Sequence, residues 1–359
     1  MKKIFYYLVA NRILLVLLIF TLSGIRPFSN FVLTFAHRWD GNSYTFIADH
    51  GYVTSGSEKN FLVFPPFYPM FIRILTWTGM NSTLAGFIIS NLFFVLGMLV
   101  LYKLVLKGWS EKIATLTIFL ISIFPTTYFL SVDYPESLFI FLFALSFYLA
   151  KKKRFPLAAL IGGFAAYTRP FGLVIFPSLI FFMLRDKKLN LKNLFLSAIS
   201  FAAPLIPYVW INYSLFGNPL AFTVFLKQNW QKSFDFFWRG IISSWKRGFS
   251  PNNSFTYKYF VGYAEAISST LAWILSVVAV KKWKVHTPYL SYLFLGTLLF
   301  TSTDFILSAP RYLLSIPPFF ILSAEIFSHH KKLLYLWCGI SISLLLWFSH
   351  EFALGRWAF

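Results

Sequence analysis

A chain of 359 residues that is 58% hydrophobic, 21% aromatic and only 12% charged cannot build a soluble exterior, because soluble domains cover most of their surface with polar side chains. Lipid must be the main solvent. The formal net charge of +20 would suggest nucleic acid in a soluble protein, but here Lys and Arg fall in short clusters between apolar runs. That is the positive-inside pattern, and it argues against a nucleic-acid partner.

A crossing needs about 20 mostly apolar residues. Met1-Lys2-Lys3 leads into a first span over 8–25 with no small-residue cleavage site, so a retained helix is expected in place of a removed signal peptide. Lys2, Lys3 and Arg12 mark its inner side. Residues 26–83 then form a long outer segment. It holds Phe35-Ala36-His37-Arg38-Trp39-Asp40-Gly41-Asn42-Ser43-Tyr44 and, later, Phe64-Pro65-Pro66-Phe67-Tyr68-Pro69, whose prolines cannot lie inside a regular span. The apolar run 70–77 is too short to cross and contains Arg73, which predicts an interfacial or re-entrant helix. Asn81-Ser82-Thr83 supplies caps for the next helix.

Further spans are predicted over 84–106, 113–130, 137–150, 156–168, 171–184, 194–213, 259–280, 287–303, 312–327 and 333–348. With the first, these make about eleven crossings, N-terminus inside and C-terminus outside. Inner ends carry Lys103, Lys107 and Lys112; Lys151-Lys152-Lys153-Arg154; Arg185, Lys187, Lys188 and Lys192; Lys281, Lys282 and Lys284; and Lys331-Lys332. Most acids fall outside. The single Cys338 lies in an apolar segment and offers neither a disulfide framework nor a metal–thiolate site. No repeated pair of interrupted helices and no nucleotide-phosphate loop is present, which argues against an inverted-repeat or ATP-driven transporter. The chain therefore reads as an all-α polytopic membrane protein, one domain over 1–359. Residues 26–83 form its first extracytoplasmic loop and 214–257 a second long loop or lid. In that second segment Lys227, Lys232, Arg239, Lys246 and Arg247 interleave with Trp230, Trp238 and Trp245. Such a pattern suits a helix on anionic lipid or a lid over a donor phosphate.

This topology collects five unusual groups at outer span ends: Trp39-Asp40-Gly41, Asp133-Tyr134-Pro135-Glu136, Arg169-Pro170, Asp304 and Arg311-Tyr312. A charge beside a span is costly unless it faces water or substrate, which makes Asp40 a candidate functional acid. Each group also has a plainer reading. Trp39 and Tyr44 can sit in the aromatic belt, with Asp40 solvated or paired to Arg38. Arg169 and Arg311 can snorkel to headgroups, and Asp133 and Glu136 can cap the fourth helix.

One reaction wants a carboxylate, guanidinium groups and a lipid-facing cavity together: transfer of a sugar from a lipid phosphate. The arginines hold the leaving phosphate, a groove between helices takes the polyprenyl chain, and one carboxylate accepts the acceptor hydroxyl's proton. A single base suffices for inversion, because the phosphate leaves without a general acid; the oxocarbenium character is shared with glycoside hydrolysis. Trp39, Tyr44 and Tyr68 are candidates for stacking on sugar faces. His37 and His50 near Asp40 and Asp49 are too loosely arranged for a metal site, and neither metal nor cofactor is expected.

Trp39-Asp40-Gly41 with Tyr44, Ile47-Ala48 and Gly51-Tyr52 resembles the first-loop motif of the GPI mannosyltransferase II (PIG-V) family of integral-membrane GT-C glycosyltransferases. The order continues through Phe64-Pro65-Pro66-Phe67-Tyr68-Pro69, Tyr134-Pro135-Glu136-Ser137-Leu138-Phe139, Thr168-Arg169-Pro170-Phe171-Gly172, Phe216-Gly217-Asn218-Pro219-Leu220-Ala221-Phe222 with Gln228 and Trp230, and Arg311-Tyr312 with Pro317-Pro318. The resemblance implies a GT-C-type fold and a polyprenyl- or dolichyl-phosphate mannose donor used on the non-cytoplasmic face. It makes Asp40 the essential acid. Arg38, Trp39, Gly41, Tyr44, Tyr68, Asp133, Glu136, Arg169, Gln228, Trp230, Arg311 and Tyr312 are then the substrate-binding candidates. The chain is shorter than eukaryotic members and is similar to the prokaryotic relatives, so a prokaryotic cytoplasmic membrane is the expected location. The acceptor (glycan, glycolipid or protein) stays open. Two alternatives remain at this point. A flippase for a lipid-linked sugar would want ionisable groups along its helix middles; an oligosaccharide ligase or polymerase would share the chemistry and differ in acceptor.

Overall fold

In lipid every backbone polar group must find its partner within the chain, and the architecture follows from that. The structure, a computed structural model, describes residues 1–230, 233–282 and 286–359. Apart from one antiparallel bridge between Phe234 and Thr303, the described elements are helical. Lys232 and Lys284, named above among the basic clusters, lie outside the described residues.

The first outer segment is more helical than its prolines suggest. After α1 (Lys2–Ser23) come α2 (Phe28–Ala36), α3 (Asp40–His50), a 3-10 turn Glu58–Val63 and α4 (Phe67–Thr76). The last is the short helix predicted near 70–77. Pro66 and Pro69 sit at its N-cap and first turn, where a missing N–H costs nothing. Next, α5 (Ser82–Val105) starts as its caps predict, with Asn81 Oδ1 accepting from the N–H groups of Thr83 and Leu84 at 3.0 and 3.3 Å.

Helices α6 (Glu111–Ser122), α7 (Glu136–Lys151), α8 (Phe155–Ala166) and α9 (Ile175–Arg185) follow, joined by 3-10 turns at Thr127–Leu130 and Pro170–Val174. A long bent helix made of α10 (Leu191–Ala202) and α11 (Ile206–Phe216) leads to the second outer segment, α12 (Ala221–Trp230), α13 (Phe237–Phe249) and α14 (Phe255–Tyr257). A π-turn, Lys258–Tyr263, runs into α15 (Ala264–Lys282); α16 (Thr287–Thr301), α17 (Ala309–Leu313), α18 (Pro317–His329) and α19 (Lys331–Ala353) complete the order.

Among the described residues, five helical stretches are long and apolar enough to cross a membrane: Lys2–Ser23, Ser82–Val105, Leu191–Phe216, Phe255–Lys282 and Lys331–Ala353. The other predicted spans coincide with shorter helices, so length alone does not support eleven crossings. Arg12 corrects the sequence reading. It lies mid-way along α1 and is buried, not at the inner face. Its guanidinium donates to the carbonyl of Thr127 at 3.1 Å and to Thr127 Oγ1 at 3.2 Å, tying α1 to the turn that follows α6.

The depth of that turn matters for the site. α5 and α7 run the same way, with Gly97 against the backbone of Phe141 and Gly86 against Asp133. α7 has 16 residues, about 24 Å at 1.5 Å each, against about 30 Å of hydrocarbon. Gly86 lies four residues into α5, so the connection bearing Asp133 sits about 6 Å along the axis from the N-terminal end of that helix.

Candidate active site

Three acids and two arginines from four separate parts of the chain meet in this recess. Glu136, the first residue of α7, is fully buried, and its Oε1 is shared by Arg311 Nε at 2.5 Å and by Arg169 Nη1. Arg311 reaches the other way with Nη1, 2.8 Å from Asp40 Oδ2. The resulting chain, Arg169–Glu136–Arg311–Asp40, spans the matched outer motifs. Glu136 is therefore an ion-pair centre and not the helix cap of the plainer reading. Asp40 pairs with Arg311 and not with Arg38.

Each member is held by local structure. Asp40 opens α3, and the preceding Trp39 adopts a positive φ of 50°, a rare conformation for a large side chain. Tyr134 locks this kink: its hydroxyl accepts the N–H of Asp40 at 3.0 Å and donates to the carbonyl of Arg38 at 2.8 Å. Gly41 must be glycine, since a Cβ there would stand 2.9 Å from the carbonyl oxygen of Ala36. Arg169 is placed by the tight turn after α8, where a Cβ on Gly172 would lie 2.0 Å from the N of Ala166. The Arg311 guanidinium lies 4.4 Å from the Tyr134 ring and 5.0 Å from Phe129, so aromatic faces help to hold a buried cation.

Asp133 is fully buried beside Gly86, and neither carboxylate oxygen has a hydrogen-bond partner. Burial pushes its carboxyl well above the usual range, which favours the neutral form. Of the three acids only Asp40 is open, with its side chain 30% exposed. A half-buried carboxylate paired with one buried cation can take a proton from a bound hydroxyl; the two fully buried acids cannot reach one.

The remaining predicted residues divide. Tyr44 and Tyr68 are buried and unavailable to a sugar: Tyr68 Oη contacts Ser90 Oγ at 2.8 Å, and Tyr44 packs edge-on against Tyr68 and Tyr134. Apolar burial at the α3–α4–α5 junction claimed both rings. Trp39 stays exposed, with Trp357 edge-on to it at 5.2 Å. Arg38 turns away from Asp40 and donates to the Ala353 carbonyl at 2.9 Å. Tyr312 packs tilted against Phe171 at 5.6 Å, with the Arg169 guanidinium 5.9 Å from its ring. Trp230 meets Phe64, which meets Tyr44, so α12 touches the site through two rings. Gln228 is exposed on α12, and Asp304 is exposed with Thr303 Oγ1 at 3.4 Å. His37 Nδ1 lies 3.2 Å from Thr83 Oγ1 and 3.3 Å from Thr45 Oγ1, which ties α3 to α5. Tyr134 was legible only as part of a motif, and Glu265, described below, had no sequence signal beyond being an acid in a span.

Residues 64–211 match the family model of dolichyl-phosphate-mannose-protein mannosyltransferases. That segment contains Asp133, Glu136 and Arg169, whereas Asp40 and Arg311 lie outside it. The fold is similar to the crystal structure of the Archaeoglobus fulgidus oligosaccharyltransferase in its apo form, with 14% identity and a TM-score of 0.53 over 98% of this chain and 56% of that one. It is also similar to the same enzyme tethered to an acceptor peptide containing the NVT sequon, with 13% identity and a TM-score of 0.51 over 97% of this chain and 55% of that one. The chain thus spans little more than half the length of that neighbour. No curated protein sequence matches the chain. The matched segment covers less than half of the chain and the likeness to the oligosaccharyltransferase is one of fold; together they support a membrane glycosyltransferase with a GT-C-type fold. Within it, the matching model is that of the protein mannosyltransferases and not the GPI mannosyltransferase II family that the motifs resemble.

Proposed function

We propose that the protein transfers a sugar, most simply mannose, from a polyprenyl-phosphate donor to an acceptor hydroxyl at the extracytoplasmic membrane face, with inversion. The observation that carries this is the ion-pair chain ending in the one exposed carboxylate, Asp40. In the reaction Asp40 takes the acceptor's proton as the acceptor oxygen bonds to the anomeric carbon. The bond from that carbon to the phosphate oxygen breaks, and its electron pair leaves on the polyprenyl phosphate.

Charge makes the timing favourable. At rest Arg169 and Arg311 balance Asp40 and Glu136, with Asp133 protonated. Protonation of Asp40 leaves one positive charge in excess as the phosphate gains its negative one, which is electrostatic stabilisation delivered in the transition state. The arginines thereby supply what a metal would, and the reading needs none.

An apolar groove of about 350 Å³ lies between α1 and α5. Asn91 on its wall donates to the Ser131 carbonyl at 3.1 Å, two residues before Asp133. The groove has room for part of an isoprenoid tail. Eleven crossings with the N-terminus inside fit this reading, with the shorter helices completing their crossings through 3-10 turns and connections. The outer segment 214–257 would then lie on the lipid surface or over the donor. A flippase is less well supported. Arg12, a charge in mid-span, is fixed by bonds to Thr127 and Ser131, and Glu265 within another span by bonds to the Ser308 and Ala309 amides, as moving carrier groups would not be.

The test is to incubate the purified protein with radiolabelled polyprenyl-phosphate mannose and a lipid and glycan extract of its host. Label should move to an acceptor with wild type and not with D40N. Equal label transfer by D40N would remove the general base, and label transfer from a different lipid-phosphate sugar would remove mannose.

A further inference from the structure

Arg311 must bridge two acids from distant parts of the chain, yet it rides on the five-residue helix α17, which is too short to hold itself. What holds it lies one residue earlier. Glu265, in the first turn of α15, is fully buried. Its two carboxylate oxygens accept the N–H groups of Ser308 and Ala309, each at 2.6 Å. These are the donors that a helix N-terminus leaves without intrahelical partners, and a carboxylate meets them with short, charge-assisted bonds.

The turn they close is not one the chain would adopt unaided. Ser308 has a φ of 73°, in the left-handed region that L side chains disfavour. From the opposite side Arg247 of α13 donates Nη2 to the Ile306 carbonyl at 3.2 Å and Nε to the Val261 carbonyl at 2.9 Å. An anion therefore grips the amide end of the 306–309 turn, and a cation grips its carbonyl end. Gly240 seats α13 beside the same turn, since a Cβ there would lie 2.8 Å from Ile306 Cγ1.

We infer that Glu265 is a positioning residue for Arg311: with Arg247 opposite, its carboxylate sets the 306–309 turn and so the reach of the guanidinium to Asp40 and Glu136. The rate consequence rests on the transferase reading; the structural consequence does not.

The variant is E265Q, which keeps the volume but presents an amide NH2 to one of the two N–H donors. Two measurements on the full-length protein in nanodiscs separate the questions. Hydrogen exchange over 303–313 should quicken at least about tenfold at Ser308 and Ala309. Turnover per donor-binding site, with polyprenyl-phosphate mannose, should fall about tenfold or more while donor KM stays within about threefold, because an interaction made in the transition state is lost. Unchanged exchange overturns the clamp whatever the activity. Faster exchange with unchanged turnover per site overturns the positioning role. Faster exchange in a protein whose wild type transfers no mannose leaves the clamp standing and removes the transferase reading. If E265Q does not fold, R247Q releases the Ile306 carbonyl from a half-buried side chain and carries the same readouts, with unchanged exchange again overturning the proposal.

Discussion

Replacing Arg311 with Lys keeps the charge and removes the fork. In the native site Nε and Nη1 of one rigid plane serve two acids, Glu136 at 2.5 Å and Asp40 at 2.8 Å. A single ammonium can satisfy one of them and must leave the other. Losing one charge-assisted hydrogen bond costs about 1.5–3 kcal/mol. At about 1.4 kcal/mol per tenfold, turnover should fall about 10- to 150-fold. The sequence alone suggested that this fork grips the donor phosphate in a bidentate way; the structure shows it occupied by carboxylates. R311K should therefore lower kcat and leave donor KM nearly unchanged. The assay is initial rates with radiolabelled polyprenyl-phosphate mannose, varying donor and acceptor separately, on protein shown by thermal unfolding to be folded. Turnover within about threefold of wild type would mean that Arg311 is only an anchor. A loss confined to donor KM would mean that the guanidinium does hold phosphate and that the acid pairing belongs to the resting state.

Glu136→Gln should be costly to the fold itself. Two buried guanidinium groups would share the single exposed Asp40, and breaking a buried pair from one side typically costs about 3–5 kcal/mol; an unfolding midpoint unchanged in nanodiscs would show that the cluster is solvated. Asp133 should make the protein pH-sensitive in the opposite sense to a salt-bridged acid. Burial raises its folded pKa above the ordinary 3.8, so its contribution is fully present below that pH. It is lost as pH rises toward the folded value, at about 1.4 kcal/mol per unit in between. D133N should flatten that slope and unfold at a higher temperature than wild type at pH 7.5, and an unchanged slope would refute the burial argument. Gly86→Ala would put a Cβ 2.6 Å from Asp133 Oδ1 and force the carboxyl to move, costing about 1–3 kcal/mol. Combining G86A with D133A should recover most of that cost, and simple additivity of the two would show that the contact is not made.

The helices were legible because hydrophobic period and charge clusters both report on lipid. α5 begins on its Asn81 cap, and α4 falls where the prolines leave room for a short helix. The five motifs could be read as a set from topology, and four of the five do meet, all but Asp304. What could not be read was which acid goes with which arginine. Asp40 and Arg311 are 271 positions apart, and their pairing depends on how far the α6–α7 connection sinks. Depth also decided the aromatic residues. Tyr44, Tyr68 and Trp39 look alike as candidates for a sugar platform, but Tyr68 is buried against the α5 backbone, Tyr44 is buried among Phe64, Tyr68 and Tyr134, and only Trp39 faces out. Arg12 was misplaced because a charge near a run of Lys invites assignment to the inner face, while carbonyls freed by the 3-10 turn at Thr127–Leu130 allow it in mid-span. Glu265 gave no signal because its partners are backbone amides, which carry no residue identity.

Charge balance gives one result that loss of activity alone would not. Asp40→Asn fixes the network in the state it would reach only after accepting a proton, with one positive charge in excess beside the leaving-group site. Unit charges about 4–8 Å apart attract by roughly 2–4 kcal/mol at an effective dielectric near 20. Because Asp40 is about a third open, screening should cut this to about tenfold in affinity. D40N should therefore be inactive and yet bind the product, polyprenyl phosphate, more tightly than wild type, with the gain shrinking as salt is raised. Titration of the protein in nanodiscs with polyprenyl phosphate, at low and high ionic strength, measures it. Weaker product binding by D40N would mean that Asp40 contacts the phosphate side only through order in the loop, and the proposed coupling of proton uptake to phosphate departure would be wrong.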